Sequence, residues 1–180
     1  MPIVRDKKQL MSASEIDRTL VRLAHEILEK TSDLDQLAFI GIKRRGVPLA
    51  QRLASKIESL EQRRIPTGIL DINLYRDDRV THEMPESQIP VDIADRLVVI
   101  IDDVLFTGRT IRAALDAVTD LGRPSAIRLC VFIDRGLREL PVQPDYVGRF
   151  IPTSRRERIK VTLSAQPAQT DEVVVLAHAP

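Results

Sequence analysis

Val98-Val99-Ile100-Ile101-Asp102-Asp103-Val104-Leu105-Phe106-Thr107-Gly108-Arg109-Thr110 is the passage on which the reading of this chain turns. The run Leu97 to Ile101 is continuously apolar, as a strand buried on both faces of a parallel sheet must be, and it ends at two aspartates. Thr107-Gly108-Arg109-Thr110 then sets a flexible glycine and two hydroxyls where a helix begins. Ile111, Ala114, Leu115, Val118 and Leu121 mark one face of that helix, and Gly122 with Pro124 closes it. Unpaired N–H groups and the positive end of the helix dipole favour a phosphate at such a start. Asp102 and Asp103, a few residues upstream, can accept hydrogen bonds from sugar hydroxyls, or hold a magnesium ion through them. The plainer alternative makes Asp102 a strand end and Thr107 a helix cap, and it has to explain both features at once.

Outward from this passage the chain alternates strands and helices. Ser14 with Asp17 three residues on predicts a helix start, and Ile16, Leu20, Ala24, Ile27 and Leu28 follow on one face to about Lys30. Leu37 to Ile42 is a short apolar run stopped by Gly41 and Gly46, after which Leu49, Ala50, Leu53, Ala54 and Ile57 return at helical spacing. The Gly41 to Gly46 loop is not a Walker phosphate loop, because Val47 and Pro48 stand where Lys and Ser or Thr are required. Thr67 to Tyr75 alternates as a strand, whereas Arg76 to Pro90 is polar, holds two prolines and predicts a mobile loop. Ile127 to Ile133 is another buried strand, and the tail Asp145 to Leu176, with short strands at Ile159 to Leu163 and Val173 to Leu176, caps the sheet edge. The expectation is an α/β fold with right-handed crossovers and a ligand site outside the carboxyl ends of the strands.

With 180 residues and 43% hydrophobic content the chain suits one domain over 1–180. Its 27 basic and 26 acidic side chains nearly cancel, so no overall field drives it onto nucleic acid or membrane, and any basic surface must be local. The single Cys130 lies inside an apolar strand, which excludes an internal disulfide and suits a small buried residue. The charged start and strand-length apolar runs imply a cytoplasmic protein with no membrane partner.

The hydrophobic quartet, acidic pair and Thr-Gly-Arg-Thr ending resemble the phosphoribosyl pyrophosphate signature of the type I phosphoribosyltransferases. The resemblance continues through Gly41 to Gly46, through Leu70-Asp71-Ile72-Asn73-Leu74-Tyr75-Arg76-Asp77-Asp78, and through Asp134-Arg135-Gly136 with Arg138-Glu139-Leu140-Pro141. Within that fold it is to the family of bifunctional pyrimidine operon attenuators and uracil phosphoribosyltransferases. The resemblance implies a central, mostly parallel sheet flanked by helices, a flexible loop over Tyr75 to Glu86, and a small hood of short strands built from the C-terminal part. It implies that Asp102, Asp103, Val104, Leu105, Phe106, Thr107, Gly108, Arg109 and Thr110 hold the ribose and 5′-phosphate of phosphoribosyl pyrophosphate. Lys43, Arg44, Arg45 and Gly46 would bind its pyrophosphate, largely through backbone N–H groups and, in the family, often across a cis peptide, an isomer that sequence does not reveal; read without the family, they are an ordinary solvated turn. Asp102, Asp103, Arg45 and Arg76 are the implied catalytic residues, with Mg2+ held by the two aspartates indirectly, through ribose hydroxyls. Relatives that act on purines carry an aspartate where this chain has Phe106, and a phenyl ring cannot take a proton; uracil, held near Arg135 and Ile159, is the implied base, and UMP the product.

The same family binds a stem-loop of pyrimidine operon messenger RNA, with uridine nucleotides (UMP and UTP) promoting binding. Arg18, Arg22 and His25 fall at spacings of three and four on the first helix, a stripe able to contact phosphates, with Arg138 and Arg149 joining across the fold. Read without the family, the stripe is a solvated helix face, and Val21, Leu137 and Gln143 stand where relatives offer polar or basic side chains. Homodimers or homotetramers are implied. The alternatives left open are a regulator with only vestigial catalysis and a purine phosphoribosyltransferase.

Overall fold

The computed structural model describes residues 4–77 and 86–178; positions 78–85 of the expected loop lie outside the described residues. A five-stranded sheet runs β3-β2-β4-β5-β6, with every neighbouring pair parallel. Its strands are β2 (Leu37–Ile42), β3 (Thr67–Leu70), β4 (Leu97–Leu105), β5 (Ala126–Asp134) and β6 (Tyr146–Phe150). Helices α1 (Ala13–Glu29) and α2 (Gly46–Glu61) cover one face, and α3 (Arg109–Leu121) covers the other. Period-two alternation along β4 divides its apolar run between them. Val99 and Ile101 enter the core of α1 and α2, while Val98 and Ile100 enter that of α3.

A second sheet, order β1-β8-β7, is antiparallel and joins β1 (Val4–Met11) to β8 (Glu172–His178) and β7 (Glu157–Thr162). It is the expected hood, with a correction: the hood draws an edge strand from the N-terminal end as well as from the C-terminal part. The charged residues Arg5 to Lys8 hid that strand, because at a sheet edge the backbone ladder, not an apolar pattern, holds the segment.

Other boundaries moved for identifiable reasons. Helix α1 is capped by Ser12, not Ser14: Ser12 has extended backbone and forms a reciprocal capping box with Glu15. The strand expected to Tyr75 stops at Leu70 and gives way to a 3-10 turn at Asn73–Tyr75, where Asp71 accepts from the Asn73 N–H. β4 runs on through Asp102 and Asp103 to Leu105, since Asp102, Val104 and Leu105 stay in register with β5. β6, expected only as part of the capping tail, joins the main sheet. Cys130 is fully buried, and that burial pushes its thiol up to about 12, as expected of a structural cysteine. Among the described residues no helix is long and apolar enough to cross a membrane.

Hood and main sheet are tied by a buried ion pair. Arg52 of α2 donates to Asp171 at 2.6 Å, with both side chains almost wholly enclosed (2% and 1% exposed). Asp171 also accepts from the Ser164 and Ala168 backbone N–H groups, so its charge is satisfied on several sides. Removing one partner strands the other's charge in the interior. Asp171→Ala is therefore expected to lower unfolding free energy by about 3–5 kcal/mol in a denaturant titration; a loss below ~1 kcal/mol would show the strut to be dispensable.

Candidate active site

The carboxyl end of β4 is approached so closely by α2 that no side chain fits between them. A Cβ on Gly46 would stand 2.3 Å from the Ile101 carbonyl oxygen, and one on Gly41 would stand 2.8 Å from that of Gly46. Glycine at both positions lets the turn Lys43-Arg44-Arg45-Gly46 lie beside Asp102 and Asp103. Arg44 and Arg45 project from it exposed, and the Lys43–Arg44 peptide is cis. Arg45 reaches to 3.8 Å from the Asp103 carboxylate.

Asp102 is 7% exposed, and Asp103 keeps 13% of its side-chain surface. Each turns an oxygen back to the chain: Asp102 accepts from the Asp103 N–H and Asp103 from the Val104 N–H, both at 2.9 Å. Burial pushes the Asp102 carboxyl well above its ordinary value, the neighbouring Asp103 charge adds to this, and Arg76 opposes it. Burial raises Asp103 too, against the pull of Arg45. Across the cleft Lys43 pairs with Glu86 and, at 3.6 Å, with Asp71, and the Glu86 carboxylate holds its ammonium above the usual range. Asp71, to which the sequence reading assigned no role, is a buried acid between Leu70 and Ile72 just past the end of β3, and a carboxylate between two apolar residues is the signal that could have marked it.

Beyond the acidic pair, Val104 to Ile111 and Arg76 line a cavity of about 250 Å³. Its floor is the start of α3, entered through Gly108 at φ +94, a conformation that favours glycine. Gly108 at the N-cap has no side chain to offer this helix start, and of its first N–H groups that of Arg109 donates to the Thr107 hydroxyl at 3.4 Å. Thr107 and Thr110 are partly buried there, whereas the Arg109 side chain lies at the surface between Asp77 (2.8 Å) and Glu139 (3.1 Å). A larger hollow of about 530 Å³, between α2 and the segment leading into β3, includes Gln51, Glu58 and Arg64 and has none of these features.

Next to this cavity, Arg135 follows directly after β5. Its guanidinium packs 4.0 Å from the centre of the Phe106 ring and is held by Thr153, Ser154 and Glu157. The alternation of β7 turns the Ile159 side chain into the core at 4% exposure, leaving only its backbone for any ligand. On the opposite flank Arg18, Arg22 and Arg149 line one shallow hollow with Glu15 and Thr19, and His25 is exposed on the same helix. Arg138 does not join them. Its guanidinium turns inward to Asp134 (2.6 Å), the Phe106 carbonyl (2.9 Å) and the Val142 carbonyl (3.0 Å). A planar fork facing several acceptors of its own chain outcompetes a solvated position.

Residues 7–163 match the phosphoribosyl transferase domain family. Relatives named bifunctional protein PyrR include one from Pelotomaculum thermopropionicum, 49% identical over 98% of this chain and 99% of that protein. Another, from Chloroflexus aurantiacus, is 53% identical over 95% of this chain and 96% of that protein. Among solved structures, a hypoxanthine-guanine phosphoribosyltransferase from Bacillus anthracis superposes with a TM-score of 0.67 at 18% identity, covering 83% of this chain and 86% of that one, a likeness of fold alone. The domain match, the near full-length relatives, and the acidic pair set between a basic turn and a glycine-entered helix agree: this chain belongs to the phosphoribosyl transferase family and, within it, to the bifunctional PyrR proteins.

Proposed function

We propose that this chain transfers the ribose 5-phosphate unit of phosphoribosyl pyrophosphate to uracil, giving UMP and pyrophosphate, and that it also regulates pyrimidine operon transcription by binding the messenger RNA stem-loop in response to UMP and UTP. The observation that carries the catalytic half is the enclosed pair Asp102 and Asp103, set between the Lys43 to Gly46 turn and the glycine-entered start of α3. The N–H groups of Thr107 to Thr110 receive the 5′-phosphate, and the two carboxylates accept the ribose hydroxyls. As the bond from C1 of the ribose to the leaving oxygen breaks, negative charge builds on the pyrophosphate. Lys43, Arg45, Arg76 and the backbone of the turn would stabilise it.

Among the described residues no group of three or more His, Cys, Asp or Glu side chains could hold a metal ion. A carboxylate pair beside a phosphate site suits an Mg2+ whose own ligands are water and substrate oxygens, the ribose hydroxyls among them. Asp102 and Asp103 would hold it through the ribose hydroxyls, and what it supplies when bound is charge neutralisation on the diphosphate. Phe106, stacked under Arg135, offers no proton acceptor to a purine, which favours the smaller base. The hood and the main sheet share one apolar core, which supports a single domain; the family resemblance adds the expectation of a homodimer or homotetramer in the cytoplasm.

Incubation with phosphoribosyl pyrophosphate, Mg2+ and, in turn, uracil, orotate and hypoxanthine is expected to yield nucleotide from uracil. Arg45→Ala and Arg76→Ala should each reduce kcat/KM by ~10²–10³. No UMP from uracil, or faster turnover of hypoxanthine, would defeat the assignment.

The raised carboxyl of Asp102 makes a separate expectation about stability. The folded protein binds this proton more tightly than the unfolded chain, so folding is favoured at the acid end, and the advantage is lost as pH rises through the elevated folded value. Asp102→Asn stays neutral throughout. Near neutral pH it should raise Tm by about 2–4 °C, the shift that ~1 kcal/mol makes in a domain of this size, while abolishing transfer; an unchanged or lower Tm would show that burial of this charge costs nothing.

The regulatory half rests on the convergence of Arg18, Arg22 and Arg149, with His25 beside them. Filter binding with added UMP should favour a matching operon hairpin over a scrambled one, and Arg18→Ala should weaken that preference. Equal affinity for the two hairpins would remove this role.

A further inference from the structure

We infer that Arg138 is a positioning residue for the transfer reaction: it holds the Phe106 carbonyl turned out of the phosphate site and locks the base loop 134–136 to the same peptide. The inference rests on the reading that Phe106 to Thr110 receives the 5′-phosphate.

A loop that binds an anion through its N–H groups faces a geometric problem, because each peptide that offers an N–H also carries a carbonyl oxygen that repels the anion if it rotates inward. Here the carbonyls at the head of the loop are occupied from outside. That of Phe106 accepts from Arg138 at 2.9 Å, and that of Thr107 accepts from the Glu139 and Leu140 N–H groups at 2.9 and 3.1 Å. None of residues 138–140 lines the phosphate cavity, so these oxygens are drawn away from it. The brace is itself fixed. Gly136 (φ +72) and Leu137 (φ +62) turn the chain back on itself after β5, and Arg138 closes the turn on Asp134 at 2.6 Å. Asp134 also accepts from the Gly136 N–H, which fixes the peptide directly after Arg135. One guanidinium thus bridges the end of β5, the Phe106 peptide and the Val142 carbonyl, with 23% of its side chain exposed. A lysine ammonium is a compact point charge and lacks the planar fork that meets these acceptors together.

The test measures KM for phosphoribosyl pyrophosphate, kcat, Kd for UMP by calorimetric titration, and Tm, for the wild type, Arg138→Met, Arg138→Lys and Asp134→Asn. Arg138→Met is expected to raise both the KM for phosphoribosyl pyrophosphate and the Kd for UMP about tenfold, with kcat falling less than KM rises. Asp134→Asn should move both constants the same way, the double substitution should add little to Arg138→Met, and Arg138→Lys should recover only part of the loss. If Arg138→Met does not fold, Arg138→Lys and Asp134→Asn carry the measurement. Unchanged KM and Kd in a folded Arg138→Met, or full recovery by lysine, overturns the proposal. Binding of UMP needs the phosphate loop but no turnover. A wild type that binds UMP yet forms none from phosphoribosyl pyrophosphate would therefore sink the transferase reading and still leave Arg138 judged on affinity.

Discussion

The contact between the first turn of α2 and the Ile101 carbonyl sets the geometry of everything around it. With no Cβ at Gly46, the helix backbone settles against the central strand of the sheet, and the turn before it is carried to the flank of Asp102 and Asp103. β4 is central for a reason legible in its side chains: both faces are apolar and both are covered, so its end is the place where helices from either side converge. The close approach also encloses the acidic pair, and the loss of water raises both carboxyls. Backbone sterics, burial and the electrical character of the site are one chain of cause.

Three cations around the cleft are matched by carboxylates. Lys43 faces Glu86 and Asp71, Arg45 faces Asp103, and Arg109 lies between Asp77 and Glu139. Such a cleft does not act as a bare positive funnel drawing in any polyanion. An anionic substrate has to exchange places with internal carboxylates, so recognition depends on phosphate groups arriving at the right separation more than on total charge. The near-neutral composition of the chain agrees with this local compensation.

Sequence patterns located the β4 to α3 passage, the Gly41 to Gly46 turn and both faces of the helices, because period-two burial, 3.6-residue periodicity and glycine punctuation are local signals. Strand β1 was invisible because its partner is β8 at the far end of the chain, and nothing in Arg5 to Lys8 marks a strand. Arg138 was misplaced for a similar reason. An arginine three residues after Arg135 reads as surface charge until Gly136 and Leu137 are seen to turn the chain inward at positive φ. The sites of Lys43, Asp71 and Glu86 are coupled by contacts that no short window contains.

Pairing β1 with β8 has a consequence for assembly. Lys7 and Glu172 touch across 165 positions of sequence, and β8 is the middle strand of its sheet. The five parallel strands and their helices can therefore gather during synthesis while the first strand waits without a partner. The hood forms only when the last stretch emerges, a closure of high contact order and correspondingly slow. A chain lacking this stretch therefore lacks the strand to which both β1 and β7 pair, and with it the second sheet as a whole.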